Sequence, residues 1–156
     1  VTLDPRTAHP QLSLSEDLRS VRWEVTEQHL PDVPERFDTE YCVLGREDFR
    51  EGRHCWEVEV MGKESWCFLG VARASIKRKG KVVMGPKEGI WALEYYKGEL
   101  ECLTSPPTPV SLSPVPTRIW VCVDCAQEQV TFISAHNGAE IFTFQEAAFS
   151  GESVHP

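Results

Sequence analysis

The sequence predicts an all-β fold in which antiparallel sheets pack face to face. Three observations lead there. Short runs of alternating apolar and polar residues recur along the chain, clearest in Cys55-Trp56-Glu57-Val58-Glu59-Val60. Successive side chains on a strand point to opposite faces, so Trp56, Val58 and Val60 make a dry face and Glu57 and Glu59 a wet one. The runs are separated by Gly, Pro or charged turns, the pattern of a sandwich or barrel. Helical periodicity is scarce, with room for a turn or so only over residues 144–149. The 156 residues suit one domain, since a chain of about 150 residues buries roughly 70% of its unfolded surface.

Taken in order, Leu12-Ser-Leu14 and Val21-Arg-Trp23-Glu-Val25 alternate as short strands around the charged turn Ser15-Glu16-Asp17. Two prolines make Leu30–Pro34 an irregular connector. Tyr41–Leu44 follows, then turns at Gly45–Asp48 and Glu51–Arg53 and the Trp56 strand. Trp66 to Ala72 is nearly all apolar, as in a central strand covered on both faces, which assigns Trp66 to the core. The basic loop Lys77-Arg-Lys-Gly-Lys81 comes next. In the strand 89–96, alternation sends Trp91 and Leu93 inward and Glu94 and Tyr96 outward, and Lys97-Gly98 closes it. Residues 105–109, with Pro114 and Pro116 beyond, read as an extended loop. Residues 119–124 and 130–133 are a strand pair joined by 126–129. The turn 136–139 precedes a last strand at 141–144. No repeat of 20–50 residues is present.

Composition excludes several function classes. A formal charge of -8 and a pI near 5.1 argue against a nucleic-acid backbone as partner. No segment approaches the roughly 18 apolar residues of a membrane span, so no direct membrane insertion is expected. Nothing at Val1 has the basic start and apolar stretch of a signal peptide. The 6 cysteines are scattered, and the only asparagine, Asn137, is followed by Gly and Ala. Both features predict free thiols in a reducing compartment.

Read in order, the segments resemble a PRY-SPRY domain, the module at the C-terminus of many tripartite-motif (TRIM) ubiquitin ligases and in the cytoplasmic tail of butyrophilins. The resemblance rests on Leu3-Asp4-Pro5 with Thr7–Pro10, Leu14–Asp17, Pro34–Phe37, Val43-Leu-Gly45, Gly52-Arg-His54 with Trp56–Glu59, and Gly70–Arg73. Arg78-Lys-Gly80, Gly89-Ile-Trp91, Thr104-Ser-Pro106 and Val130-Thr-Phe132 continue it. Three departures stand out. Val123-Asp-Cys-Ala126 replaces the family's Leu-Asp-Tyr-Glu, the Trp66–Leu69 approach is one residue longer, and the chain stops at His155-Pro156 where relatives run into a closing strand. The last departure predicts an open sheet edge.

The resemblance implies a bent antiparallel β-sandwich of the concanavalin-like jelly-roll kind. It divides one domain, 1–156, into a PRY part over about 1–50 and a SPRY part over about 51–156. It implies a non-catalytic protein-recognition module, cytoplasmic and without cofactor, serving as the target-binding domain of a TRIM ubiquitin ligase in innate immunity. The partner is then a protein or peptide, and the parent a coiled-coil dimer. The cytoplasmic domain of a butyrophilin-like receptor is the alternative, and a carbohydrate-binding or carbohydrate-hydrolysing sandwich is the alternative from another class. Carried over by position, the partner surface includes Arg22 and Glu24, Phe68, Arg73, the loop cations Lys77, Lys79 and Lys81, Glu94, Tyr96 and Glu99. Some butyrophilin domains bind phosphorylated metabolites through a basic pocket. Here the equivalent positions are Val83, Cys102 or Leu103, and Pro107, which would leave a diphosphate unneutralised.

Other chemistry is weaker. Cys122-x-x-Cys125 has zinc-like spacing, but on a strand an odd separation sends the two thiols to opposite faces. Glu57 and Glu59 lie about 6–7 Å apart on one strand face, near the spacing of a glycosidase pair. No third acid extends them, and they read as a solvated face. His9, His29, His54, His136 and His155 are dispersed, and no nucleophile elbow or phosphate-cradling glycine loop accompanies them. The basic loop is either a solvated hairpin or a guide for an acidic partner.

Overall fold

The computed structural model describes residues 1–62 and 64–156. Its strands are β1 (Leu12–Leu14), β2 (Val21–Trp23), β3 (Arg53–Glu59), β4 (Trp66–Arg73), β5 (Ile90–Tyr96), β6 (Glu99–Cys102), β7 (Thr108–Val110), β8 (Arg118–Asp124), β9 (Gln129–Ser134), β10 (Glu140–Phe144) and β11 (Val154–His155). They form a β1–β2 hairpin, a four-stranded sheet ordered β10-β9-β8-β3, and a five-stranded sheet ordered β11-β4-β5-β6-β7. Every pairing is antiparallel.

Period-two alternation puts the core between the two larger sheets. Leu69, Val71, Trp91, Leu93, Tyr95, Leu100 and Cys102 from one sheet meet Ile119, Val121, Val123, Val130, Phe132 and Phe144 from the other in one buried cluster. Burying one such side chain contributes about 1.5–3 kcal/mol, so this layer dominates stability. Trp56 and Val58 face it as their alternation predicts, but Trp56 is only half-buried and stacks on Phe49 at the margin.

The segment before β3 wraps the outer side of the five-stranded sheet. Phe37 and Leu44 from this arm, with Ile76, pack on Ala72, Ile90, Ala92 and Leu103 in a second cluster. Buried Arg36 holds the arm together: its Nε donates to the carbonyl of Pro31, and Nη1 donates to those of Pro5 and Ala8, all within 2.9 Å. Isolated bridges join Leu3 to Gly45 and Phe49 to Val154.

Several expectations change. The helical turn lies at Pro86–Glu88 rather than 144–149, where Phe144 ends β10; Pro86 starts it and Gly89, at φ +83°, stops it. Tyr41–Leu44 forms no strand and Val25 lies beyond β2. Thr108–Val110 is a strand rather than loop, and Pro109 is tolerated because β7 is a sheet edge. β11 pairs with β4 only at Ala72 and Arg73, so among the described residues no strand lines that edge over 66–71.

The thiol expectation fails for two cysteines. Cys55 and Cys122 are direct partners in the β3–β8 register, with Cα atoms 4.1 Å apart, and are joined by a disulfide. Cys42, Cys67, Cys102 and Cys125 are free. Burial pushes the Cys42 thiol up to about 12 and those of Cys67 and Cys102 to about 11, with Glu40 and Glu101 adding to the effect at Cys42 and Cys102.

Candidate functional site

The arm covers the Ala72–Ile90 end of the five-stranded sheet and leaves the outer face at the Trp66–Tyr96 end open. Register decides what stands there. Trp66 is opposite Tyr96, which is opposite Glu99; Phe68 is opposite Glu94, which is opposite Glu101. Leu69, Leu93, Tyr95 and Leu100 point into the core. The outward positions therefore form a grid of three rings and three carboxylates on a rigid support.

The rings are bare. Trp66 is 65% exposed, Tyr96 45% and Phe68 40%. Trp66 is the hub, 5.5 Å from Tyr96 edge-on and 6.4 Å from Phe68. Its indole N–H donates to Glu94 Oε1 at 2.7 Å, which fixes the ring against the strand. Lys97 swings its ammonium over the Tyr96 ring, 5.2 Å from the centroid. Among the described residues no cation forms an ion pair with Glu94, Glu99 or Glu101. Exposed aromatic residues on a rigid sheet suit protein contact, because such side chains supply large area at low entropy cost.

Four of the residues anticipated for the partner surface are here: Phe68, Glu94, Tyr96 and Glu99. Two others belong beside them. Trp66 was expected in the core, but its strand parity is that of Phe68 and Gly70, and the arm's cover stops short of it. An odd–even reading of 66–72 finds it. Glu101 shares the parity of Glu99.

The remaining expected residues lie elsewhere. Arg73 has the inward parity of Leu69 and Val71, and its guanidinium sits 5.5 Å from the centroid of buried Trp91. It packs closely over Gly89, where an added Cβ would meet its Nε at 3.0 Å. The basic loop follows Arg73, so it starts about 23 Å along β4 from Trp66 at roughly 3.3 Å per residue. Lys79 Nζ donates to Asp32 Oδ1 and to the carbonyls of Val33 and Arg36, all within 2.8 Å. Arg78 donates to the carbonyls of Glu35 and Ala74 and lies over Phe37. These two cations dock the loop onto the arm, and Lys79 has no donor left for a partner. Lys77 and Lys81 stay exposed. Arg22 and Glu24 pair with each other at 2.7 Å on the β1–β2 hairpin.

The alternative chemistries find no constellation. Cys122 is bonded to Cys55, while Cys125 packs against the core. Glu57 accepts from Trp120 Nε1 at 3.1 Å, and Glu59 faces Arg118. Among the described residues no group of three metal-ligating side chains converges, and no helix is long and apolar enough to cross a membrane.

Comparison with known proteins fits this architecture. The model of the SPRY-associated domain, PRY, matches residues 1–49, and that of the SPRY domain matches residues 53–156. Butyrophilin subfamily 1 member A1 of Bos taurus is 46% identical over 97% of this chain and 28% of its own length. The E3 ubiquitin-protein ligase TRIM15 of Sus scrofa is 43% identical over 97% of this chain and 33% of its own. The chain thus spans about a third or less of these relatives. Among solved structures, the TRIM65 PSpry domain superposes with a TM-score of 0.79 at 23% identity, covering 99% of this chain and 80% of that one.

Proposed function

Because this chain belongs to the PRY-SPRY family, a family of non-catalytic recognition domains, we propose that it captures a protein or peptide target on the open face of β4, β5 and β6. The observation that carries this reading is the Trp66–Phe68–Tyr96 cluster, exposed on a sheet whose other face is the main core. Rigid backing makes such a surface a preformed template, so little ordering entropy is lost on binding. The β5–β6 turn at Lys97-Gly98 and the 103–107 loop border this face and form its margin.

In the whole protein this face is the target-selecting end of a TRIM-type ubiquitin ligase working in the cytoplasm. Ubiquitin transfer then resides outside this chain, and a coiled coil pairs two copies. The bovine butyrophilin at 46% identity favours a second reading, the cytoplasmic domain of a butyrophilin-like receptor. The chain upstream of Val1 separates them: RING, B-box and coiled coil in one case, a membrane span in the other.

A photo-crosslinking amino acid at position 68 or 96 in the full-length protein tests the docking face. The expected result is a discrete crosslinked partner at both positions and none from position 120 on the opposite sheet. Crosslinking from position 120 alone overturns the proposal.

A further inference from the structure

The open face has a charge problem that no neighbour among the described residues resolves. Glu94 and Glu101 are direct cross-strand partners on the same side of the sheet, and like charges placed opposite each other destabilise a ladder. Glu99, two residues before Glu101, adds a third carboxylate to that side. The Trp66 indole N–H occupies one oxygen of Glu94. Among the described residues no side-chain hydrogen bond is directed at Glu99 or Glu101 and no cation pairs with either.

We propose that this face takes a partner segment carrying arginine; the proposal rests on the docking reading above and names the chemistry of its occupant. A guanidinium is planar, stacks on aromatic faces, and presents a fork of N–H donors that matches a carboxylate. Both kinds of acceptor stand within one side chain's reach. Glu94 and Glu101 face each other at the roughly 5 Å of a cross-strand pair, and Tyr96 and Glu99 lie one same-face step away, about 7 Å. The Tyr96 ring already carries a cation on its face, since the Lys97 ammonium rests over it 5.2 Å from the centroid. Lysine would satisfy the charge but not the stacking, so arginine is the preferred residue. An acidic or phosphorylated segment would meet three carboxylates and is excluded by the same charges.

Selection of a random-peptide library on the folded 156-residue chain tests this, followed by affinity measurements on synthetic copies of the enriched peptides. The expected enriched peptides share an arginine. Replacing it by citrulline, which keeps the shape and removes the charge, weakens binding about tenfold or more, as loss of a charge-assisted pair does. The double variant Glu94→Gln and Glu101→Gln loses the same factor toward the arginine peptide and shows no further loss with citrulline. Peptides that require Trp66 and Tyr96 yet bind equally well with citrulline overturn the arginine inference and leave the docking face standing. Arginine peptides that bind the double variant unchanged also overturn it. Failure to obtain any peptide whose binding depends on Trp66 removes the docking reading and this inference together.

Discussion

Trp66 and Glu94 are diagonal neighbours on the outer face of the β4–β5 ladder, each opposite the residue beside the other, and are joined by a 2.7 Å hydrogen bond from the indole N–H to Oε1. The bond is on the surface, so it orients the ring more than it stabilises the fold. Trp66→Phe keeps the apolar area and loses the donor. Its expected cost in unfolding free energy is within about 0.5–1 kcal/mol, the range of an exposed site, while partner capture falls. Parallel denaturant titrations and binding measurements separate the two effects. A large loss of stability would return Trp66 to the core.

Relief of the Glu94–Glu101 opposition has its own signature. Glu101→Gln removes a like-charge pair without changing shape, so the melting temperature should rise slightly at low ionic strength. A cross-strand pair contributes about 0.2–1 kcal/mol, and salt should erase the difference because both carboxylates are accessible to screening. A variant less stable than the parent at low salt would show that the carboxylates are compensated.

Much of this geometry was legible before any coordinates. Period-two alternation places Glu94 and Tyr96 outside and Leu93 inside, and the short connection over 126–129 pairs β8 with β9. What escaped was set by tertiary cover and long-range register. The apolar run 66–72 reads as doubly buried, yet the arm that buries Ala72 through Phe37 and Leu44 ends before Phe68. Lys79 reads as a free cation, and only the folded arm supplies the three acceptors that occupy it. Cys55 and Cys122 are separated by 67 residues, and no local spacing announces that the β3–β8 register makes them partners.

That cross-link gives a third prediction. Closing a loop of 67 residues restricts the unfolded chain by roughly 4 kcal/mol in the chain-entropy account. Reduction should therefore lower the melting temperature, and a Cys55→Ser, Cys122→Ser double variant should melt like the reduced protein. Alkylation of the native protein with iodoacetamide at neutral pH should spare Cys42, Cys67 and Cys102, whose thiols stay protonated there. Mild reduction should add label at Cys55 and Cys122. Label at those two positions without reductant would show that they are thiols.

The two sheets differ in how much each tryptophan contributes. Trp91 is 1% exposed at the centre of the core and packs edge-on against Phe149, whereas Trp56 is only half-buried at its margin. Trp91→Ala should cost about 3–5 kcal/mol or abolish folding, as for a wholly buried aromatic residue. Trp56→Ala should cost distinctly less, about 2 kcal/mol, scaling with the area it buries. Equal losses would place both side chains in the same layer.

Stability should also fall as the medium turns mildly acidic, and His9 is the group responsible. The residue is 5% exposed, and Nδ1 accepts the backbone N–H of Gln11 at 3.0 Å. Burial holds its pKa below the ordinary 6.5, against the opposing pull of a backbone hydrogen bond at Asp38 and of the Glu27 and Asp38 charges. As pH drops, the unfolded chain therefore takes up this proton before the folded one does. The contribution of neutral His9 is complete above 6.5 and is lost progressively below it, down to the depressed folded value. Asp124 acts in a separate window. The Gln127 backbone N–H and then Arg53 hold its carboxyl below 3.8, so its contribution persists until pH falls through that lower range. His9→Asn retains an acceptor for Gln11 and has nothing to protonate, so its melting temperature should lose the slope seen in the parent between neutrality and about pH 5. An unchanged slope in the variant would assign the acid sensitivity to other groups.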